Sequence, residues 1–420
     1  AAAEDYLAVA GDSLLLSDLT FVRGADPAVL GAWYRAVQDD ALGFALRAEG
    51  EIEASVEAFT RAAEAYRELG HLRREAVAWG SLGVSHWYTG DFDAVGGAYA
   101  KALDARERLG DPVLIGRTLN GLGTVNLQLG RFSDALDYYT RARAVRETLD
   151  RPVDLGVTIT YIGNVHLYLG NLEEARANYL AALEIFGEDA PARRLNEARG
   201  SLANVYGLLG QHERALEMQR FVFASALENG DAELAANTRI GIAQELTALG
   251  DFAGALRELN EAKSEQEASG DLYQLSATLK AMGTVYSRAG NHPRALEVLT
   301  QAKRTAVESQ NEFVRLEVLL QLGSVYHQME LSARALETYE ESLALSRDLE
   351  YAGGVRGSQI EMAVIYQKLG QPEDALDLCN EVLDSDLERG LEANLIMDYA
   401  NRGLIRNENG RFQEGMKDYR

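Results

Sequence analysis

Glycine returns along this chain at a fixed spacing of 40 residues, at Gly50, Gly90, Gly130, Gly170, Gly210, Gly250, Gly290, Gly370 and Gly410, and only Glu330 breaks the series. A period of a few tens of residues is the mark of stacked supersecondary units, each of which buries a face against its neighbours. Other positions keep the same register. Seven or eight residues before each mark stands an apolar residue followed by a small one, as in Leu82-Gly83, Leu122-Gly123, Ile162-Gly163, Leu202-Ala203 and Met362-Ala363. Five residues after it comes a small residue, such as Ala135, Ala175 or Ala335, and four further on a bulky one, such as Phe59, Tyr99, Tyr139, Tyr179 or Tyr339.

Each unit reads as two helices. Leu119, Leu122, Val125 and Leu129 follow helical rather than alternating spacing. The periodic glycine suits a left-handed C-cap closing the first helix. Asp91, Asn171, Asp251 and Asn291 then follow as N-caps of the second. A second set, Gly70, Gly110, Gly230, Gly270 and Gly390, ends the second helices, and Asp111, Asp231, Asp271 and Asn311 cap the next unit. The six prolines fall in turns or first helical turns, where no helix interior is broken. No β segment is required.

These marks resemble the tetratricopeptide repeat, most clearly in Trp79, Leu82, Gly83, Gly90, Tyr99 and Ala102. Tyr206, Tyr286, Tyr326 and Tyr366 stand at the position of the family's first-helix tyrosine. The 40-residue form is similar to the arrays of kinesin light chains and Pins/LGN-type adaptors. It is also similar to bacterial arrays fused to CHAT-type proteases, sensor kinases, cyclases or transcription regulators. The resemblance implies an all-α, right-handed superhelical α-solenoid of about nine to ten helix-turn-helix repeats. Residues 1–35 read as a degenerate N-terminal helical cap with Leu14, Leu15, Leu16 and Leu19 as its buried face, and residues 36–420 as the array, its last repeat truncated. Several units depart from the pattern. Ser55 and Val95 replace the small alanine, His86, Asn126 and His166 the tyrosine, and Gln219 and Cys379 the second-helix aromatic. Ser332 is expected to cap the helix after Glu330, and Tyr351-Ala-Gly-Gly354 to loosen the next junction into a bend. A stop inside a helix would leave Phe412, Met416 and Tyr419 uncovered, so the native polypeptide is expected to continue past Arg420 into a fused or bound effector. The start at Ala1 suggests a processed or truncated product.

Chemistry is harder to find. A net charge of −24 gives no electrostatic reason to bind nucleic acid or an anionic membrane. No run of about 18 apolar residues exists to span a bilayer. The single cysteine, Cys379, excludes an internal disulfide and a cysteine zinc site, and it stands where other units place a core aromatic. His86 and His166, two units apart, lie roughly 20 Å from each other and cannot share a metal. No catalytic motif occurs, and no cofactor or metal is expected.

A stacked array offers instead a concave groove lined by first helices, which the resemblance makes a site for a peptide or protein partner. Its candidate polar positions are Asn120, Thr124, Asn164, Asn204, Gln244, Thr284 and Ser324, whose amides and hydroxyls suit a peptide backbone. Trp87, Tyr88, Leu127, Tyr161 and Tyr168 form an aromatic and apolar patch of potential anchors. Lys280, Arg288, His327, Gln328 and Lys368 form a basic one, suited to an acidic peptide or a terminal carboxylate. The leading expectation is therefore a non-enzymatic interaction scaffold. Its rivals are the regulatory half of a larger bacterial signalling enzyme, such as a CHAT-type protease, and a structural subunit that uses its convex face. With 35 arginines against six lysines, the composition suggests a GC-rich bacterial gene. One reduced-looking thiol favours the cytoplasm, with an extracytoplasmic location after signal-peptide removal as the alternative.

Overall fold

The computed structural model describes residues 13–188, 190–349, 351–388 and 392–419, and every regular element among them is an α-helix. The chain divides into two units, residues 1–210 and 211–420. Unit 1 opens with α1 (Ser13–Gly24). Four helix pairs follow: α2 (Pro27–Glu49) with α3 (Ile52–Glu68), α4 (Leu72–Thr89) with α5 (Phe92–Leu109), α6 (Pro112–Gln128) with α7 (Phe132–Arg146), and α8 (Pro152–Tyr168) with α9 (Leu172–Phe186). It closes on α10 (Ala192–Leu208). Unit 2 starts with α11 (His212–Glu228) and adds α12 (Ala232–Ala248) with α13 (Phe252–Ser269), α14 (Leu272–Arg288) with α15 (His292–Glu308), and α16 (Glu312–Gln328) with α17 (Ser332–Asp348). The last two pairs are α18 (Ala352–Lys368) with α19 (Pro372–Glu388) and α20 (Glu392–Glu408) with α21 (Phe412–Asp418). Within each unit the two helices of a pair pack together, and first helices also touch the next along α6, α8 and α10 and along α12, α14, α16 and α18, the arrangement of an α-solenoid.

The turns follow from the caps. Gly90 closes α4 at φ 75°, the left-handed region that costs glycine nothing. Glu330 occupies the same turn at φ 61° and Gln310 another at φ 56°, so the periodic break is filled by a residue that pays a steric cost. The side chains of Asp91, Asp111, Asp231, Asp251, Asp271, Asn291 and Asn311 each accept an N–H three residues on, as the pattern requires. Two expected caps differ. Asn171 makes no side-chain cap bond, which nothing in the structure explains, and Ser332 is the first helical residue of α17, with Leu331 at the cap. Gly390 lies outside the described residues. Ala352, Gly353 and Gly354 open α18 rather than extending a loop. Gly354 is there for close packing: a Cβ would stand 2.8 Å from Leu316 of α16.

The core of each pair is an exchange of volume between facing helices. Gly123 on α6 and Gly163 on α8 receive the rings of Tyr139 and Tyr179, and a Cβ at either glycine would come within 2.5 and 2.7 Å of its ring. Gly43, Gly83 and Gly323 receive Phe59, Tyr99 and Tyr339 in the same way. Where this position is alanine, at Ala203, Ala243 and Ala363, the residue at the aromatic register is Gln219, Leu259 or Cys379. Small faces large throughout, and Gly283 receives an aliphatic side chain, Leu299, in place of a ring.

The N-terminal helix is held by charge as much as by leucines. Asp18 of α1 is buried, 3.0 Å from Arg74 Nε and 3.1 Å from His71 Nε2 on the far side of the first pair. Leu14 and Leu19 are half-buried, while the side chains of Leu15 and Leu16 lie outside the described set. Burial lowers the His71 pKa against the opposing pull of Asp18, and burial raises that of Asp40, also paired with Arg74. At the other end Phe412, Met416 and Tyr419 are exposed.

Candidate functional site

Successive first helices lie side by side, so their outward residues form one face in each unit. Helical geometry fixes which residues these are: positions i, i+4, i+7 and i+11 fall on one side of a helix. On α4 they are Val77, Ser81, Val84 and Tyr88. On α6 they are Arg117, Gly121, Thr124 and Gln128, and on α8 Val157, Tyr161, Asn164 and Tyr168. All twelve are partly or fully accessible, and unit 2 repeats the stripe with buried Ala281 as its exception.

Several sequence candidates stand on this stripe. Asn204, Gln244, Arg288, Tyr88 and Tyr168 are exposed, the two tyrosines at 66% and 67%. Thr124 and Asn164 are half-buried and already engaged. The Tyr139 hydroxyl lies 3.0 Å from Thr124 Oγ1, and the Tyr179 hydroxyl donates to Asn164 Oδ1 at 2.6 Å. Burial pushes the Tyr179 pKa up to about 12, so the phenol keeps its proton. Thr284 bonds the Lys280 carbonyl, and Ser324 accepts from Gln328 at 3.3 Å.

Others lie off it, for a geometric reason. Trp87 and Leu127 sit one residue before the stripe, which turns them by about 100°. Trp87 packs edge-on against Phe92 at 5.1 Å, and Leu127 packs against the cluster of Tyr139 and Ile162. Asn120 is buried between α6 and α8, donating to Thr158 at 3.2 Å. Lys280 is tied to Glu317 at 2.5 Å, so its charge is compensated. His327 lies 3.0 Å from Lys368 Nζ, and burial, then that ammonium, lowers its pKa. Arg288 has no ion-pair partner among the described residues.

Two cavities open on the first-helix face of unit 1. One, of about 430 Å³, lies between α4 and α6, and a second, of about 570 Å³, between α6 and α8, bounded by Arg194 of α10. Leu114, Arg117 and Gly121 border both. Sequence reasoning missed their arginines, Arg106, Arg117, Arg146, Arg151 and Arg194. A signal was present: Arg106 and Arg146 hold one register 40 residues apart, each followed 12 residues later by a threonine, Thr118 or Thr158. Among the described residues no group of histidine, cysteine, aspartate or glutamate is arranged to hold a metal, and no helix is long and apolar enough to cross a membrane. Burial pushes the Cys379 thiol up to about 11, which leaves it a core residue rather than a nucleophile.

The fold recurs in solved structures. The apo form of RapI superposes with a TM-score of 0.56 at 15% identity over 84% of this chain and 99% of that one. Aspartyl phosphate phosphatase F from Bacillus subtilis does so at 0.52 and 13% identity, over 83% of this chain and 92% of its own. A signal transduction ATPase with numerous domains (STAND) from Pyrococcus horikoshii, described as having a tetratricopeptide repeat sensor, gives 0.51 at 14% identity over 81% of this chain. This chain spans only 53% of that protein. No curated protein matches the sequence. The tetratricopeptide repeat family model matches residues 74–148, 155–220 and 274–348, just over half of the chain. With its register of glycines, small residues and aromatics realised as paired helices, the chain belongs to the tetratricopeptide repeat family.

Proposed function

We propose that this chain is a protein-interaction scaffold that holds a segment of a partner protein against its first-helix face. The observation that carries this is the stripe itself. Residues at i, i+4, i+7 and i+11 of successive first helices stay accessible, Ala281 excepted, while most intervening positions are consumed by packing. A row of side chains displayed from rigid helices presents a preformed surface and spares a partner the cost of ordering it. Exposed Tyr88, Tyr168 and Leu208 supply apolar anchors. Exposed Asn204 and Gln244 supply amides that bond a peptide backbone without reading its side chains. The same face would serve a sensing array within a longer signalling protein.

Site-specific photo-crosslinking in cells of the source organism tests this. A crosslinking amino acid at Asn204 or Gln244, on first helices, should capture one and the same protein. The probe at Asp137 or Glu217, exposed on second helices, should not. Capture from Asp137 and Glu217 alone would overturn the assignment in favour of a structural subunit recognised through its second helices.

A further inference from the structure

In a chain with 24 more acidic than basic residues, these two cavities on the first-helix face of unit 1 are lined by five arginines and a single carboxylate, Asp154. Arg106 and Arg146 come from the ends of α5 and α7 and enter the clefts between neighbouring first helices. Arg106 reaches the Thr118 hydroxyl on α6 and the Ala76 carbonyl on α4. Arg146 reaches the Thr158 hydroxyl at 2.7 Å and the Asp154 carbonyl at 2.5 Å on α8. Glycines make the room: a Cβ at Gly80 would stand 2.9 Å from Arg106 Nη2, and one at Gly116 would stand 3.1 Å from Arg146 Nε.

These partners are neutral, and neither guanidinium has a carboxylate partner among the described residues. Arg106 Nε is buried and unbonded. Arg117 stands on the rim shared by both cavities, exposed and without a partner among the described residues. Asp154 is taken by Arg151 at 2.7 Å and Glu197 by Arg194 at 2.9 Å. Burial, then the charge of Arg117, lowers the Arg106 pKa. Asn120, only 6% exposed, borders the larger cavity with an unbonded Oδ1. Asp111 and Asp154 act on Arg106 and Arg146 only at a distance, and keeping guanidinium charge out of water without a contacting carboxylate is costly, so the arrangement asks for an anion. The remaining acidic surface opposes one, but charges beyond a Debye length of about 8 Å are screened at physiological salt, whereas contacts inside the clefts are not.

Resting on the reading of this face as the recognition surface, we propose that the arginine cluster of unit 1 receives acidic side chains of an extended partner segment. Arg106 and Arg117 take one carboxylate in the smaller cavity; Arg117 and Arg146 take the next in the larger. Val77, Val84, Val113 and Val157 border the same cavities and offer aliphatic contact to the chain between. Packed helices lie about 8–10 Å apart and an extended chain advances about 3.3 Å per residue. Acidic residues in the partner should therefore recur about every third position.

The probe is an acetylated, amidated nonapeptide of three Glu-Ser-Ala repeats, with its glutamine counterpart as control, titrated calorimetrically into the full chain. The glutamate peptide should bind and the glutamine peptide should not. Arg117→Glu, an exposed position whose change leaves the packing intact, should weaken binding by about tenfold or more. Arg288→Glu in unit 2 should leave it unchanged. Equal binding of the two peptides, no binding of either, or undiminished binding to Arg117→Glu overturns the proposal. So does displacement of the peptide by millimolar inorganic phosphate, which would mark a general anion site. If the peptide fails while Asn204 still crosslinks a partner, the arginine assignment falls and the scaffold reading stands. Failure of the crosslinks removes the scaffold reading itself.

Discussion

Replacing Gly123 by alanine should destabilise the third helix pair even though alanine is the better helix former. The added methyl would lie 2.5 Å from Tyr139, about 1 Å inside van der Waals contact. The ring cannot swing away, because Tyr139 is fully buried and its hydroxyl is engaged by Thr124. Overpacking of this kind costs about 1–3 kcal/mol, and the gain in helix propensity returns at most about 1 kcal/mol. The net expectation is a loss of about 1–2 kcal/mol. Tyr139→Leu should be destabilising by itself, through the cavity it leaves, but it removes the collision. In that background Gly123→Ala should be neutral or stabilising by up to about 1 kcal/mol. The two substitutions should thus couple by about 2 kcal/mol in a double-mutant cycle. Local hydrogen exchange of the α6 and α7 amides is the assay, since stacked repeats open locally rather than all at once. A fully stable Gly123→Ala, or a double variant as unstable as the sum of the singles, would refute the exchange of volume between facing helices.

Three further outcomes follow from single residues. Glu330→Gly should relieve a left-handed cost of about 1–2 kcal/mol against an entropic charge of about 0.5–1 kcal/mol, so amides in the last turn of α16 should gain protection; lost protection would contradict this. Because burial lowers the His71 pKa, the unfolded chain takes up that proton first. The stability tied to a neutral His71 is complete above pH of about 6.5 and is lost as the pH falls below it. Proteolysis within α1, normalised to an unstructured peptide, should accelerate between pH 7.5 and 5.5, and an unchanged rate would argue otherwise. With its pKa near 11, Cys379 should react with iodoacetamide slowly at pH 8 in the native chain and readily in urea, and rapid native labelling would show an accessible thiol.

Most of the fold was legible because the same few contacts recur. The turn glycine appears nine times at one spacing, and the acids and amides that cap the next helix and the small residues facing aromatics keep the same period, so period alone fixes the helix pairs. Legibility failed where one residue of phase decides. Asn164 and Asn120 both look like groove amides, yet Asn164 falls on the accessible stripe and Asn120 turns between α6 and α8. Trp87 and Leu127 miss the stripe by one residue: Trp87 turns toward Phe92 while staying partly exposed, and Leu127 packs on the Tyr139 cluster. The arginine clefts were hidden for another reason. Arg106 and Arg146 belong to second helices and become part of the first-helix face only because Gly80 and Gly116 let them through.

Recognition on the first-helix face is most directly tested by hydroxyl-radical footprinting of the chain with and without the partner that crosslinking identifies. Tyr88, Tyr168 and Leu208, all exposed on first helices, should lose reactivity in the complex, while Leu180 and Leu227, exposed on second helices, should keep theirs. Protection of Leu180 and Leu227, with Tyr88, Tyr168 and Leu208 still oxidised, would contradict the assignment of the recognition surface.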